Sequence, residues 1–115
     1  MLNASIYALA GGFEHLFDKL VKDKDRTELQ VGEVGIDEDR EGVHIKIHER
    51  ALCLDLYAFV TPREIKVYDD GRRGTGELLF QVGLPVMITE TLLPLVVETL
   101  YAVAYRERQS RVVEA

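Results

Sequence analysis

Gly42-Val43-His44-Ile45-Lys46-Ile47-His48-Glu49-Arg50-Ala51-Leu52-Cys53-Leu54-Asp55-Leu56-Tyr57-Ala58-Phe59-Val60 is the stretch that decides the fold. It holds two runs of alternation. In the first, Val43, Ile45 and Ile47 point one way and His44, Lys46 and His48 the other. In the second, Leu52, Leu54, Leu56, Ala58 and Val60 share one face and Cys53, Asp55, Tyr57 and Phe59 the opposite one. Side chains alternate along an extended chain, so a period of two predicts two half-buried strands in the middle of an antiparallel sheet. Glu49-Arg50 lacks the Gly or Asn of a tight two-residue turn, which predicts a loop of about three to five residues from His48 to Ala51.

Upstream, Glu28 to Ile36 reads as a first strand. Its apolar residues change parity between Val31 and Val34, with Gly32 and Gly35 beside the change, and that predicts a bulge. Asp37 to Gly42 is the turn that follows. Downstream, Thr61-Pro62 ends the third strand, because proline cannot continue the ladder. Ile65 and Val67 mark a fourth strand, Asp69 to Gly76 a glycine-rich tip, and Leu78, Phe80 and Val82 a fifth. Gly83-Leu84-Pro85 breaks the sheet.

Helical stripes flank the strands. Leu2, Ile6, Leu9, Phe13, Leu16 and Leu20 recur at three- and four-residue steps, widened by Ala10, Phe17 and Val21, with Asn3 or Ser5 as a candidate cap. Gly11 and Gly12 fall inside this helix and cost roughly 1 kcal/mol each against alanine. They mark a kink, a close approach to the sheet or to a second chain, or a weak spot held by packing. Leu92, Leu93, Val96, Val97, Leu100, Val103 and Ala104 form a second stripe, with Thr89 or Thr91 as candidate cap. Pro94 suits the first turn of that helix and would kink a helix that began earlier. The fold expected is α+β: an N-terminal helix, a five-stranded antiparallel meander sheet and a C-terminal helix, with both helices on one sheet face, in a single domain over residues 1–115.

The formal net charge of -6 argues against a general affinity for duplex nucleic acid such as DNA, which depends on neutralising phosphates, without excluding a local basic patch, and it favours association with basic partners. Cys53 is the single cysteine, so an internal disulfide is excluded, and a reducing compartment fits. Its position within the third strand reads as packing rather than nucleophilic. The apolar N-terminus lacks the positive n-region of a signal peptide, and no apolar run reaches the roughly 18 residues of a membrane span. A cytoplasmic protein without membrane contact is expected.

Candidate chemistry is sparse. His44 and His48 lie about 13 Å apart along a strand, too far to share an ion bound at about 2 Å, so no metal is expected. Asp37-Glu38-Asp39-Arg40-Glu41-Gly42 lacks the frame of a calcium loop and reads as a solvated turn. Gly71-Arg72-Arg73-Gly74-Thr75-Gly76 offers backbone N–H groups and two guanidinium groups to a phosphate or carboxylate, but it precedes a strand and has no Gly-Lys-Ser/Thr. The second sheet face should display His44, Lys46, His48, Asp55, Tyr57, Phe59, Lys66 and Tyr68. Aromatic and basic groups on an open sheet suit a protein interface or a single-strand binder. Ser5 and Ser110 stand near the termini and no Ser/His/Asp or Cys/His set is evident; an enzyme would have to use Asp55 or a histidine such as His44, enclosed in a pocket beside a second polar group.

The reading is a small acidic non-enzymatic interaction protein of the inhibitor, immunity, chaperone or phage host-modulating type. It binds a partner protein by surface complementarity, without a cofactor, and as a homodimer formed through the open sheet face or a helix. The alternative is a module for a nucleotide or single-stranded nucleic acid, with Arg72, Arg73 and Lys66 on phosphate and Tyr57, Phe59 and Tyr68 stacking on bases.

Overall fold

The computed structural model describes residues 4–69, 76–85 and 89–114 of the chain. Helix α1 (Ala4–Asp23) leads into strands β1 (Leu29–Asp37), β2 (Gly42–Glu49), β3 (Leu54–Val60), β4 (Glu64–Asp69) and β5 (Glu77–Gly83), and helix α2 (Thr89–Glu114) follows. The strands lie in sequence order and every neighbouring pair is antiparallel, so the sheet is the expected meander. Both helices contact the sheet and each other. One core joins Ile6, Leu9, Phe13, Phe17 and Val21 of α1 and Leu92, Val96, Val97, Leu100, Val103 and Ala104 of α2 to the inward-facing residues of β2, β3 and β4. The apolar parity of each strand is what puts the two helices on the same side. No helix among the described residues is long and apolar enough to cross a membrane.

The two glycines of α1 differ in role. A Cβ on Gly12 would come 2.7 Å from Leu93 Cδ2, so the missing side chain lets α1 and α2 approach closely. A Cβ on Gly11 would meet nothing within 4 Å. The helix runs unbroken through both. Ser5 is buried inside α1 and is not its cap, and Asn3 lies outside the described residues. Pro94 stands in the second turn of α2, and its ring removes the hydrogen bond that the Glu90 carbonyl would accept. Thr91 is therefore within the first turn of the helix rather than before it.

The bulge in β1 is where the parity change placed it. Pairing passes from Val31 opposite Ile47 to Glu33 opposite Lys46, leaving Gly32 as the extra residue. That extra residue returns Val34 and Ile36 to the inner face, opposite Ile45 and Val43. A second bulge was not expected. Val67 pairs with Phe80 and Tyr68 with Leu78, so Leu79 is extra. Leu78 thus sits on the outer face, whereas Phe80 and Val82 lie opposite inward Val67 and Ile65. Three consecutive apolar residues, Leu78-Leu79-Phe80, carry no parity, and the tertiary register decides it.

The second correction concerns the turn between β2 and β3. Strand β2 extends to Glu49 and β3 begins at Leu54, not Leu52. Cys53 is exposed and left-handed (φ 53°), so it is a turn residue and not a packed strand residue. The cause is the Glu49 side chain, whose carboxylate accepts the Ala51 N–H at 3.1 Å and the Leu52 N–H at 2.6 Å. Leu52 packs against the core from this turn, which is why its spacing mimics two more residues of strand.

Candidate interaction surface

The face turned away from the helices is built from residues opposite one another on neighbouring strands. Across β2 and β3 the partners are His44 with Phe59, Lys46 with Tyr57 and His48 with Asp55. Across β3 and β4 they are Tyr57 with Tyr68 and Phe59 with Lys66. Seven of the nine residues read from the sequence as binding residues, His44, Lys46, His48, Tyr57, Phe59, Lys66 and Tyr68, are therefore brought onto one contiguous surface. Arg72 and Arg73, with the rest of the loop from Gly71 to Thr75, lie outside the described residues.

The side chains on this face are half-buried by one another. The imidazole of His44 stacks on the Tyr57 ring, with centroids 6.1 Å apart and planes 11° from parallel. It also approaches Glu33 Oε1 at 3.3 Å. It lies across Gly35, where a Cβ would collide with the ring, so that glycine is needed for the stack. His48 Nδ1 and Asp55 Oδ1 are 2.5 Å apart, a hydrogen bond across the two strands. Lys66 Nζ lies 3.4 Å from Glu64 Oε1, and Gln81 Nε2 donates to Glu64 Oε2 at 3.2 Å.

Phe59 departs from the expectation of an open aromatic. It is only 7% exposed. The Arg40 guanidinium lies 3.7 Å from its ring centroid, and its ring edge occupies the space where Gly42 would carry a Cβ. No local pattern in the sequence signals that Arg40, at the hairpin tip, folds back over the Phe59 ring of β3. Stacking of a base on Phe59 would require the displacement of Arg40, so Tyr57 and Tyr68 are the accessible aromatics of this face.

The sequence missed Glu49. It is 2% exposed, and besides holding the turn it faces Arg108 Nε at 3.8 Å. Arg108 Nε also approaches Glu28 Oε1 at 3.0 Å, as a charge contact whose angles are not those of a hydrogen bond. Arg111 donates to Asp69 Oδ2 at 2.9 Å. Both arginines lie toward the C-terminal end of α2, and they fasten it to the ends of β1, β2 and β4. A cluster at that end also gives the resolved proton shifts. Burial raises the Tyr101 phenol above its ordinary value, partly opposed by the nearby Arg26 guanidinium. Hydrogen bonding to Tyr105 raises Arg26.

A groove of about 610 Å³ runs between α1 and the free edge of β1. Gly11, Glu14, Asp18 and Lys22 form its helical wall, and Leu29, Val31 and Arg50 are on the sheet side. His15, remote from the other histidines in the sequence, lies here and not on the outer face. Asp55 stands on the outer face with His48, away from this groove. Among the described residues no group of three or more His, Cys, Asp and Glu is placed to hold a metal ion. The outer face presents ring faces, hydrogen bonds and charges, several of which already have partners on the same face. Comparison of the chain with family models, with curated proteins and with solved structures finds no match.

Proposed function

We propose that the protein is a small acidic interaction module, non-enzymatic and homodimeric, whose outer sheet face is the surface that recognises a partner protein. The observation that carries this reading is the placement of both helices on one face, with the other left to Tyr57, Tyr68, His44 and their paired charges. Tyrosine presents a large contact area at low entropic cost, and aromatic side chains are enriched at protein interfaces. The charges favour a protein over a nucleic acid, since Lys66 is engaged by Glu64 and the face carries Glu33, Asp55 and Glu64 among its cations. Among the described residues of this face little positive charge is left for phosphate, and the chain as a whole stands at -6.

The test has two arms. Affinity capture with the purified chain should recover a partner protein that the Tyr57→Ala/Tyr68→Ala double variant fails to recover, while circular dichroism of the variant stays unchanged. Fluorescence anisotropy with a labelled single-stranded oligonucleotide at low salt should show no binding. Oligonucleotide binding that disappears in the double variant would overturn the reading in favour of a nucleic-acid module.

A further inference from the structure

The two edges of the sheet are protected differently. Strand β1 is interrupted at mid-length by its bulge, carries Glu33, and is flanked by α1 across the groove. Strand β5 pairs on one side with β4, and among the described residues no strand pairs with its other side. From Leu78 to Pro85 it has no charged residue. Leu78 is 47% and Val82 38% exposed, two of the four exposed large hydrophobic residues among those described. An apolar edge with unpaired backbone groups is a template for another strand, and natural sheets guard such edges with lysine, proline or cover. Among the described residues of β5 the bulge at Leu79 is the device that guards the edge, and it lies near the start of the strand.

We infer that a second copy of the chain occupies this edge, joining β5 to β5 antiparallel about a two-fold axis through Gln81. The inference rests on the homodimeric part of the reading above and adds the seam. The hydrogen-bond phase supports that register. The Leu84 N–H donates to the Arg63 carbonyl at 2.6 Å. Antiparallel neighbours exchange bonds at every second residue, so Val82 turns its backbone groups toward Ile65, and Gln81 and Gly83 turn theirs to the free edge. An axis through Gln81 pairs the two Gln81 residues reciprocally and sets each Gly83 opposite Leu79 of the other copy. On the inner face it sets Phe80 against Val82, covering the exposed valine.

Charge fits the same arrangement. Each copy is at -6, so a seam must avoid facing acids, and the uncharged run from Leu78 to Pro85 does so. The antiparallel orientation brings exposed Glu77 of one copy to the end of β5 that lies beside exposed Arg63 of the other. Because the axis stands perpendicular to the sheet, both outer faces remain on one side. The result is a continuous sheet of twice five strands with a doubled recognition surface.

The experiment compares three proteins by sedimentation equilibrium and oxidative cross-linking. The unmodified chain should sediment at twice its 13.0 kDa mass. Gln81→Pro removes an N–H that points away from β4, so the sheet should persist by circular dichroism while the mass falls to that of the monomer. In a Cys53→Ser background, Gln81→Cys should form a disulfide dimer under mild oxidation, because hydrogen-bonded partners in an antiparallel pair lie about 5.5 Å apart, within disulfide range. Exposed Cys53 of the unmodified chain supplies the random-collision control. A dimer that survives Gln81→Pro, or Gln81→Cys that cross-links no faster than Cys53, overturns the seam and leaves the homodimer standing. An unmodified chain that is monomeric at every concentration overturns both.

Discussion

Glu49 has almost no access to water, and its carboxylate oxygens are used by the backbone N–H groups of Ala51 and Leu52, with Arg108 beyond them. Removing it leaves two donors without their acceptor and a half-buried guanidinium with one carboxylate fewer. Glu49→Ala should therefore destabilise the chain by about 2–4 kcal/mol, read as a lower urea midpoint at unchanged slope. A loss below about 0.5 kcal/mol, the range of ordinary surface substitutions, would show that the turn holds without it. Tyr101 gives the pH dependence. Its folded value is raised by burial, so the stability tied to its proton is fully present below about pH 10, the ordinary phenol value, and is lost as pH rises through the folded value. The urea midpoint of the unmodified chain should fall as pH is taken above about 10, and Tyr101→Phe should reduce that fall.

Helix α1 carries a test of its two neighbouring glycines. Both lose the same helix propensity, roughly 1 kcal/mol against alanine, yet they face different surroundings. Gly11→Ala adds a methyl into open space and should stabilise the chain by about 1 kcal/mol. Gly12→Ala drives its methyl against the half-buried Leu93 side chain, so the gain is offset and the change should be close to neutral. Thermal or urea unfolding distinguishes the two, and equal stabilisation would mean that α2 yields freely at Leu93. The same contrast shows what the sequence carried. The stripe predicted the helix and its inner face, but a glycine needed for close approach and a glycine that merely costs stability are spelled identically. The bulge at Gly32 was legible because the strand around it alternates strictly and one extra residue shifts the parity. The bulge at Leu79 was hidden by three apolar residues in a row. The start of β3 was misplaced because Leu52 fills the core from a turn, and only Glu49, an acidic residue in a polar segment, determines that turn. On the candidate surface, the strand residues were legible from alternation alone, while the cover over Phe59 comes from Arg40 at a hairpin tip whose path no local pattern encodes.

For the molecule as a whole, the formal charge of -6 gives the two functional readings opposite responses to salt. Two copies meeting at β5 bring two negative bodies together across a seam that is itself uncharged. Their repulsion extends over a screening length of about 30 Å at 0.01 M salt and about 8 Å at 0.15 M. The attraction between Glu77 of one copy and Arg63 of the other, across the end of β5, weakens over the same range, and even directly paired exposed charges contribute at most about 1 kcal/mol. Backbone bonds and apolar contacts at the seam are not screened. The dimer fraction at fixed protein concentration should therefore rise as salt is raised from 0.01 M to 0.15 M, measured by sedimentation velocity. A surface that gripped phosphate would behave in the opposite way, since binding to nucleic acid releases counterions and weakens steeply with salt. An association that falls across that interval would mean that attraction between charges drives it, and would move the contact away from β5 to the outer face, where cations and carboxylates alternate.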